Sequence, residues 1–171
     1  MAAIDTGTHA PDFTWPGFEG KTSEGKTSEG KTYSLKTALA SGPVLAAFFK
    51  VSCPTCQYTF PFLERIAKHF GCVWGVSQDD ARATRDFAKH YGVSFPLLLE
   101  DTDDYPTSNA YGLTHVPSIF LIGQDSEILV SCVGFAQQDL LDIVSKLAKL
   151  TGKKGLDLFH AGEDIPKFKS G

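Results

Sequence analysis

Residues 50–70, KVSCPTCQYTFPFLERIAKHF, place two cysteines two residues apart at the start of a helix-like pattern. Apolar residues follow at helical spacing, and Gly71 marks the stop. A thiol at a helix N-terminus lies near the positive end of the macrodipole, which favours the thiolate. The two-residue spacing lets Cys56 reach back to Cys53 and close a small disulfide ring. The stretch therefore predicts a redox-active pair.

Strand-like and helix-like segments alternate around this stretch. A continuous apolar run, VLAAFFK at 44–50, has the length of a strand and precedes the cysteines. The segments that follow are predicted as a buried strand at 72–77, a helix at 80–91, a short apolar run at 95–99, a hairpin of strands at 118–122 and 127–133, and a last helix at 138–150. This order predicts an α/β fold in which helices flank a central mixed β-sheet.

The composition is that of one globular domain. The chain has 171 residues, 42% of them hydrophobic, which suits a single domain over 1–171 with a substantial core. A net charge of −4 gives no basic surface for nucleic acid, and no apolar run approaches the roughly 18 residues of a membrane helix. The first residues, MAAIDTGTHAPDF, lack the pattern of a signal peptide. We therefore expect a cytoplasmic protein, or a periplasmic one if a leader has been removed.

Several motifs at fixed offsets resemble the thioredoxin-like superfamily, and most closely its branch of AhpC/TSA and TlpA/ResA-like redoxin domains. The similarity runs from Pro11 to Leu150, and its motifs are APDF at 10–13, EGKTYSL at 29–35, CPTC at 53–56 with Pro61 after it, the stretch 73–101, and AYGLTHVPSIFLI at 110–122. It implies a thioredoxin-like fold with an N-terminal extension and a redoxin-type strand–helix insertion. The core is expected over about 11–150, followed by a polar C-terminal tail over 152–171 that either packs through its apolar residues or is loose.

The resemblance also implies an activity and a set of site residues. The family exchanges disulfides with protein substrates through its dithiol, so Cys53 is expected to attack and Cys56 to resolve the mixed disulfide. Pro117 matches the family's cis-proline, and the backbone of Val116 is expected to pair with the substrate chain. The implied partners are protein disulfides or dithiols and a redox partner such as a reductase or a small thiol. No cofactor beyond the Cys53–Cys56 disulfide is expected, and no metal.

Four further residues are candidates for tuning the dithiol. Lys50, three residues before Cys53, adds positive charge nearby, and His115 lies two residues before Pro117. Pro54 removes one N–H near the sulfur, while Thr55 offers a hydroxyl. Thioredoxins bury an acid six residues before the first cysteine, but that position is Ala47 here. The proton acceptor for Cys56 is therefore unassigned.

Two alternatives use the same cysteines for different chemistry. Peroxiredoxins of this branch carry P-x-x-x-T-x-x-C, but the proline and threonine positions are Ala46 and Lys50 here, and no arginine lies near Pro117. Peroxidase and antioxidant activity is therefore the less favoured alternative. A zinc site would need a second pair of ligands, and Cys72 and Cys132 lie far apart inside apolar runs.

A third alternative comes from the repeat EGKTSEGKTSEGKT at 19–32. It matches the P-loop pattern G-x-x-x-x-G-K-[ST] at 20–27 and again at 25–32. A working P-loop follows a buried strand and opens a helix, whereas the first match follows APDFTWPGFE, which two prolines interrupt. A five-residue unit that contains G-K-T produces the match automatically. We therefore interpret 19–32 as an inserted, solvated loop.

Overall fold

A seven-stranded mixed β-sheet with helices on both faces forms the centre of the molecule. The computed structural model describes residues 3–20 and 30–171. The strands of the sheet are β1 (Thr14–Glu19), β2 (Lys31–Ser34), β3 (Val44–Phe49), β4 (Val73–Ser77), β5 (Pro96–Leu99), β6 (Ser118–Ile122) and β7 (Ile128–Val133), and a separate pair is formed by β8 (Phe135–Ala136) and β9 (Phe168–Lys169). The helices are α1 (Leu35–Leu39), α2 (Pro54–Phe70), α3 (Ala81–Tyr91), α4 (Pro106–Ala110) and α5 (Gln137–Thr151).

The order of the strands in the sheet is β2-β1-β5-β4-β3-β6-β7, which places β3 in the interior. β3 is parallel to β4 and antiparallel to β6. All six of its residues are buried, because both of its faces carry packed layers. Leu45, Ala47 and Phe49 face one apolar cluster, and Val44, Ala46 and Phe48 face the other. Packing on both faces holds β3 in place, so the point at which the chain leaves the sheet after Phe49 is fixed.

Most of the elements predicted from the sequence are confirmed, with bounds that differ by one or two residues. The active-site helix begins at Pro54, and the predicted hairpin is formed by β6 and β7. Gly71 and Gly92 end α2 and α3 in the left-handed conformation, which glycine adopts without a steric cost. The thioredoxin-like α/β fold, with its central mixed sheet, is confirmed.

The N-terminal region differs from the prediction of a loop over 19–32. Glu19 is the last residue of β1, and Lys31 and Thr32 belong to β2, which pairs antiparallel with β1. Pro16 lies inside β1 opposite Thr32 of the edge strand β2, so the prolines do not interrupt a strand as the sequence suggested. The prediction of a loop is therefore wrong at both ends. Its middle, residues 21–29, lies outside the described residues.

β1 and β2 enclose the repeat that carries the P-loop pattern. A strand does precede the first match, but the Lys31–Thr32 pair that closes the second match lies in a strand. A P-loop needs its Lys-Thr pair at the first turn of a helix, where free N–H groups surround the phosphates. The second match is therefore not a P-loop, and the Lys26–Thr27 pair of the first match lies outside the described residues.

Residues 152–171, which we call the tail segment, pack against the body of the protein. Leu158 is 1% exposed and lies in the larger apolar cluster, and Leu156 and Phe159 pack against the same cluster. Of the two possibilities left open by the sequence, the packed arrangement is the one observed. At the other end of the chain, Ala3 is buried as well, so buried residues extend beyond the expected core of 11–150.

The packing of the tail segment makes a testable prediction about stability. We expect Leu158→Ala to lower the free energy of unfolding by about 2–4 kcal/mol, because truncation of a buried leucine loses its transfer energy and leaves a cavity. Leu150→Ala is the matched control, since Leu150 is 49% exposed. Urea denaturation of both variants measures the difference. Equal effects of the two substitutions would contradict the packed tail segment.

Candidate active site

A short turn connects the interior strand β3 to the first cysteine. The N–H of Cys53 donates to the carbonyl of Lys50 at 3.2 Å, which closes the turn. The N–H of Val51 donates to the Asp79 carboxylate at 2.8 Å, and the Gln57 amide donates to the Val51 carbonyl at 2.9 Å. Because these three hydrogen bonds hold the turn, the backbone before Cys53 is fixed relative to the sheet.

Cys53 is the N-cap residue of α2. Its backbone is extended, and its sulfur accepts the N–H of Cys56 at 3.1 Å, in the place where serine or aspartate usually caps a helix. Pro54 follows in the first turn, where the missing N–H of proline has no helical partner to lose. The Cys53 side chain is half-buried. The first sulfur is therefore accessible, and the helix N-terminus is directed at it.

Cys56 has the opposite environment. Its side chain is 0% exposed. Burial raises the pKa of the Cys56 thiol well above its usual range, and the hydrogen bond to Cys53 and the negative charges of Cys53 and Asp79 raise it further. A hydrogen bond from the backbone of Lys50 acts in the other direction. The pair is thus asymmetric: one sulfur meets solvent, and the other stays protonated inside.

The loop that contains Val116 and Pro117, which we call the proline loop, lies directly against the Cys53 sulfur. The peptide bond between Val116 and Pro117 is cis, which confirms the prediction of a cis-proline. The Cys53 thiol donates to the Val116 carbonyl at 3.3 Å. The loop is held from both sides, since the Ser118 hydroxyl donates to the His115 carbonyl at 2.7 Å and the Gly134 N–H donates to the Pro117 carbonyl at 2.8 Å. A backbone surface with fixed polar groups therefore adjoins the reactive sulfur.

The candidates for tuning the dithiol differ in their exposure and in their contacts. Lys50 and His115 are exposed and line a pocket of about 190 Å³ beside the proline loop, together with Gln78. The His115 ring contacts the Thr114 hydroxyl at 3.0 Å. The Thr55 hydroxyl donates to the carbonyl of Ser170 at 2.6 Å. The Thr55 hydroxyl, a predicted tuning group of the dithiol, is therefore occupied by a contact with the tail segment.

Asp79 is a site residue that was not predicted from the sequence. It lies just beyond β4, where its N–H donates to the Ser77 hydroxyl at 3.1 Å and its carboxylate accepts the Val51 N–H. β4 is parallel to β3, so their carboxyl ends meet at one edge of the sheet. The signal in the sequence was the pair of aspartates that follows the second predicted strand.

The two remaining cysteines are unlike the dithiol. Burial is the main cause that raises the pKa of Cys72 to about 11 and that of Cys132 to about 12. Both thiols are therefore protonated at neutral pH. Within residues 3–20 and 30–171, no cluster of three or more histidine, cysteine or acidic side chains could hold a metal ion.

The mixed sheet positions a C-x-x-C pair at the start of a helix, next to a loop with a cis-proline. These features together define a class of protein. The fold is the thioredoxin fold, and the cysteine pair is the dithiol of a thiol–disulfide oxidoreductase. In the described part of the chain, no helix is long and apolar enough to cross a membrane.

The chain belongs to the AhpC/TSA family, whose sequence model matches residues 6–131. It is similar to the thiol-disulfide oxidoreductase ResA of Bacillus subtilis (strain 168), with 26% identity over 152 residues that cover 86% of this chain and 78% of the relative. The solved structure of a putative thiol:disulfide interchange protein DsbE from Chlorobium tepidum superimposes with a TM-score of 0.68, at 23% identity, over 86% of this chain and 98% of that one. Peroxidoxin BcpB from Mycobacterium tuberculosis superimposes with a TM-score of 0.62, at 23% identity, over 89% of this chain and 99% of that one.

The position of Asp79 makes a prediction about the buried thiol. In a Cys53→Ser background, which keeps an oxygen at the N-cap, we expect Asp79→Asn to speed alkylation of Cys56 by iodoacetamide at pH 9 about 2–5-fold. The reason is that removal of a negative charge lowers the pKa of Cys56, and a lower pKa raises the thiolate fraction at that pH. Mass spectrometry of the Cys56 peptide gives the rate. Asparagine still accepts the Val51 N–H, so the turn is kept.

Asp80→Asn is the matched control for this experiment. Asp80 adjoins Asp79 but caps α3 by accepting the Ala83 N–H at 2.8 Å, and asparagine caps a helix about as well as aspartate. We expect no change in the alkylation of Cys56. An equal effect of the two substitutions would show that the charge of Asp79 has no specific action on the thiol.

Proposed function

We propose that the protein is a thiol–disulfide oxidoreductase that exchanges disulfides with protein substrates through Cys53 and Cys56. The observation that carries this proposal is the asymmetry of the pair. Cys53 is half-buried, caps a helix and contacts the proline loop, whereas Cys56 is buried and its N–H is directed at the first sulfur. Disulfide exchange needs one accessible nucleophile and one internal thiol that acts second.

The proposed reaction proceeds in two balanced steps. The Cys53 thiolate attacks one sulfur of a substrate disulfide, the substrate S–S bond breaks, and the second substrate sulfur leaves as a thiolate. Cys56 then loses its proton and attacks the Cys53 sulfur, which releases the first substrate sulfur. The substrate gains two electrons, its two thiolates take up the Cys56 proton and one proton from solvent, and the protein is left with a Cys53–Cys56 disulfide. The reverse sequence oxidises a substrate dithiol.

The different environments of the two cysteines separate these steps in time. Burial and nearby negative charge keep Cys56 protonated while Cys53 attacks. In the mixed disulfide the Cys53 sulfur carries no charge, so one of the causes that raise the pKa of Cys56 disappears at the moment when Cys56 must react. Asp79 lies at the same edge of the sheet and is the acidic group that we propose for receiving the proton.

The substrate surface is proposed on the loop that contains Val116 and Pro117. The Val116 carbonyl already contacts the Cys53 sulfur, so a chain that pairs with this backbone brings its disulfide to the nucleophile. We propose that a reductase or a small thiol returns the dithiol to its starting state, and that no further cofactor takes part. The cytoplasmic location stays a prediction; in that reducing compartment the dithiol donates electrons to substrates.

Peroxide reduction is the second candidate, because the fold is shared with Peroxidoxin BcpB. The residues argue against it. Position 50 holds an exposed lysine and position 46 a buried alanine, where a peroxiredoxin has threonine and proline. The threonine hydroxyl that binds the peroxide in the resembled family is therefore missing at position 50, and no arginine lies near Pro117 in the sequence.

A set of three cysteine variants tests the proposed function. We expect the unmodified protein to reduce insulin disulfides with dithiothreitol as the electron source, and Cys53→Ser to lose at least about 100-fold, because the nucleophile is gone. Cys56→Ser is expected to accumulate a mixed disulfide at Cys53, which mass spectrometry identifies. Cys72→Ser, a control outside the pair, keeps the activity.

Turnover of hydrogen peroxide is measured beside the insulin assay. Insulin reduction without peroxide turnover supports the proposal. Peroxide turnover alone would assign the protein to the second candidate function, and activity that survives Cys53→Ser would overturn the role of the dithiol.

A further inference from the structure

One face of the active-site helix is covered by the tail segment along its whole length. The residues of α2 that the tail segment contacts are spaced by three or four positions, which places them on a single helical face: Thr55, Tyr58, Phe62, Arg65 and His69. The tail segment begins at the far end of the helix, beside His69, and runs antiparallel to the helix axis. It therefore ends beside the first turn, which carries the dithiol.

The middle of the tail segment is anchored by one arginine and one aromatic pair. The Arg65 guanidinium donates to both carboxylate oxygens of Glu163 at 2.8 Å and to the carbonyl of Leu158 at 2.9 Å. A bidentate pair of this kind fixes orientation as well as distance. Phe159 packs edge-on against Phe62, with ring centroids 5.2 Å apart. These contacts set the position of the residues that follow.

The last part of the tail segment forms a strand. The Gln137 N–H donates to the Lys167 carbonyl at 3.0 Å, and Phe168–Lys169 then pairs antiparallel with Phe135–Ala136. The Lys169 ammonium lies 5.0 Å from the centroid of the Tyr58 ring. β8 follows Gly134, and the Gly134 N–H donates to the Pro117 carbonyl. The strand β9, which pairs with β8, therefore lies close to the proline loop.

The final two residues reach the reactive site itself. The Ser170 carbonyl accepts the Thr55 hydroxyl, two residues from Cys53. Gly171 lies so close to the proline loop that a Cβ atom on it would overlap the Val116 carbonyl oxygen, which is the atom that accepts the Cys53 thiol. A Cβ atom on Gly134, whose φ is +77°, would likewise overlap the Lys169 carbonyl. Glycines at these two positions permit the close approach.

We propose that residues 168–171 occupy the surface on which a substrate chain binds, as an internal strand that a protein disulfide must displace. The proposal rests on the proposed function, because it takes Val116 and its loop as the substrate surface. An incoming polypeptide and residues 168–171 compete for the same backbone edge and for the space over the Val116 carbonyl. A small disulfide does not compete in this way, because Cys53 stays half-buried with the strand in place.

The first test compares the unmodified chain with a variant that lacks residues 167–171. If the docked strand is about 90% populated, its removal raises kcat/KM for insulin reduction about tenfold, because only the undocked fraction is competent to bind. The rate with bis(2-hydroxyethyl) disulfide is expected to change less than twofold on the same reasoning. Far-UV circular dichroism and a melting curve show that the variant is folded.

Ser170→Ala is the matched control within the strand. The contact of Ser170 is made by its carbonyl, so the substitution keeps the hydrogen bond from Thr55. We expect this variant to reduce insulin at the rate of the unmodified chain. Glu163→Gln, which weakens the anchor at Arg65 without touching the site, is expected to raise insulin reduction to an intermediate level.

A second test observes the displacement without relying on turnover. In the Cys56→Ser variant, a mixed disulfide with a cysteine-containing peptide is trapped at Cys53, and amide hydrogen exchange is measured over residues 164–171. Faster exchange in the trapped complex supports displacement. Unchanged exchange over these residues, with the mixed disulfide confirmed by mass, would overturn it.

The outcomes separate this inference from the proposed function. If the unmodified chain reduces insulin but loss of residues 167–171 leaves or lowers that rate, the internal strand is not a competitor and the inference fails alone. If neither protein reduces insulin or the small disulfide, the proposed function fails, and the inference that rests on it fails with it.

Discussion

The hydrogen bond from the Cys56 N–H to the Cys53 sulfur is the contact on which the site depends. It makes the Cys53 sulfur the cap of α2, so the start of the helix also fixes the position of the proposed nucleophile. The sulfur in turn contacts the Val116 carbonyl, which ties the helix to the proline loop. Because the turn before Cys53 leaves a strand that is buried on both faces, the sheet fixes all three parts.

Two sides of α2 have different roles. Its buried side supplies part of the larger apolar cluster and encloses Cys56, which keeps the second thiol away from solvent. Its other side receives the tail segment, which is anchored at Arg65 and ends against the Val116 carbonyl. If a protein substrate displaces residues 168–171 as proposed, its access to Cys53 depends on contacts that lie along the full length of α2. Substitutions far from the dithiol, such as at Glu163, are expected to act on the site through this segment.

The parts of the structure that could be predicted were those with a local signal. β3 was evident as an unbroken apolar run, and the C-x-x-C motif and cis-Pro117 were identified from their flanking residues. The strand at Thr14–Glu19 was missed, because Pro16 argues against a strand unless the pairing of its neighbours is known. The aspartate pair at 79–80 marked the end of a strand, but the contact of Asp79 with Val51 joins residues distant in sequence. The path of the tail segment likewise depends on distant contacts, which no local pattern encodes.

The most direct test of the account is a redox titration of the purified protein against glutathione buffers, with the state of each cysteine identified by alkylation and mass spectrometry. We expect one two-electron transition, in which Cys53 and Cys56 convert together between dithiol and disulfide while Cys72 and Cys132 stay reduced. A transition that pairs Cys53 with a different thiol, or the absence of any Cys53–Cys56 disulfide across the whole range of buffers, would contradict it.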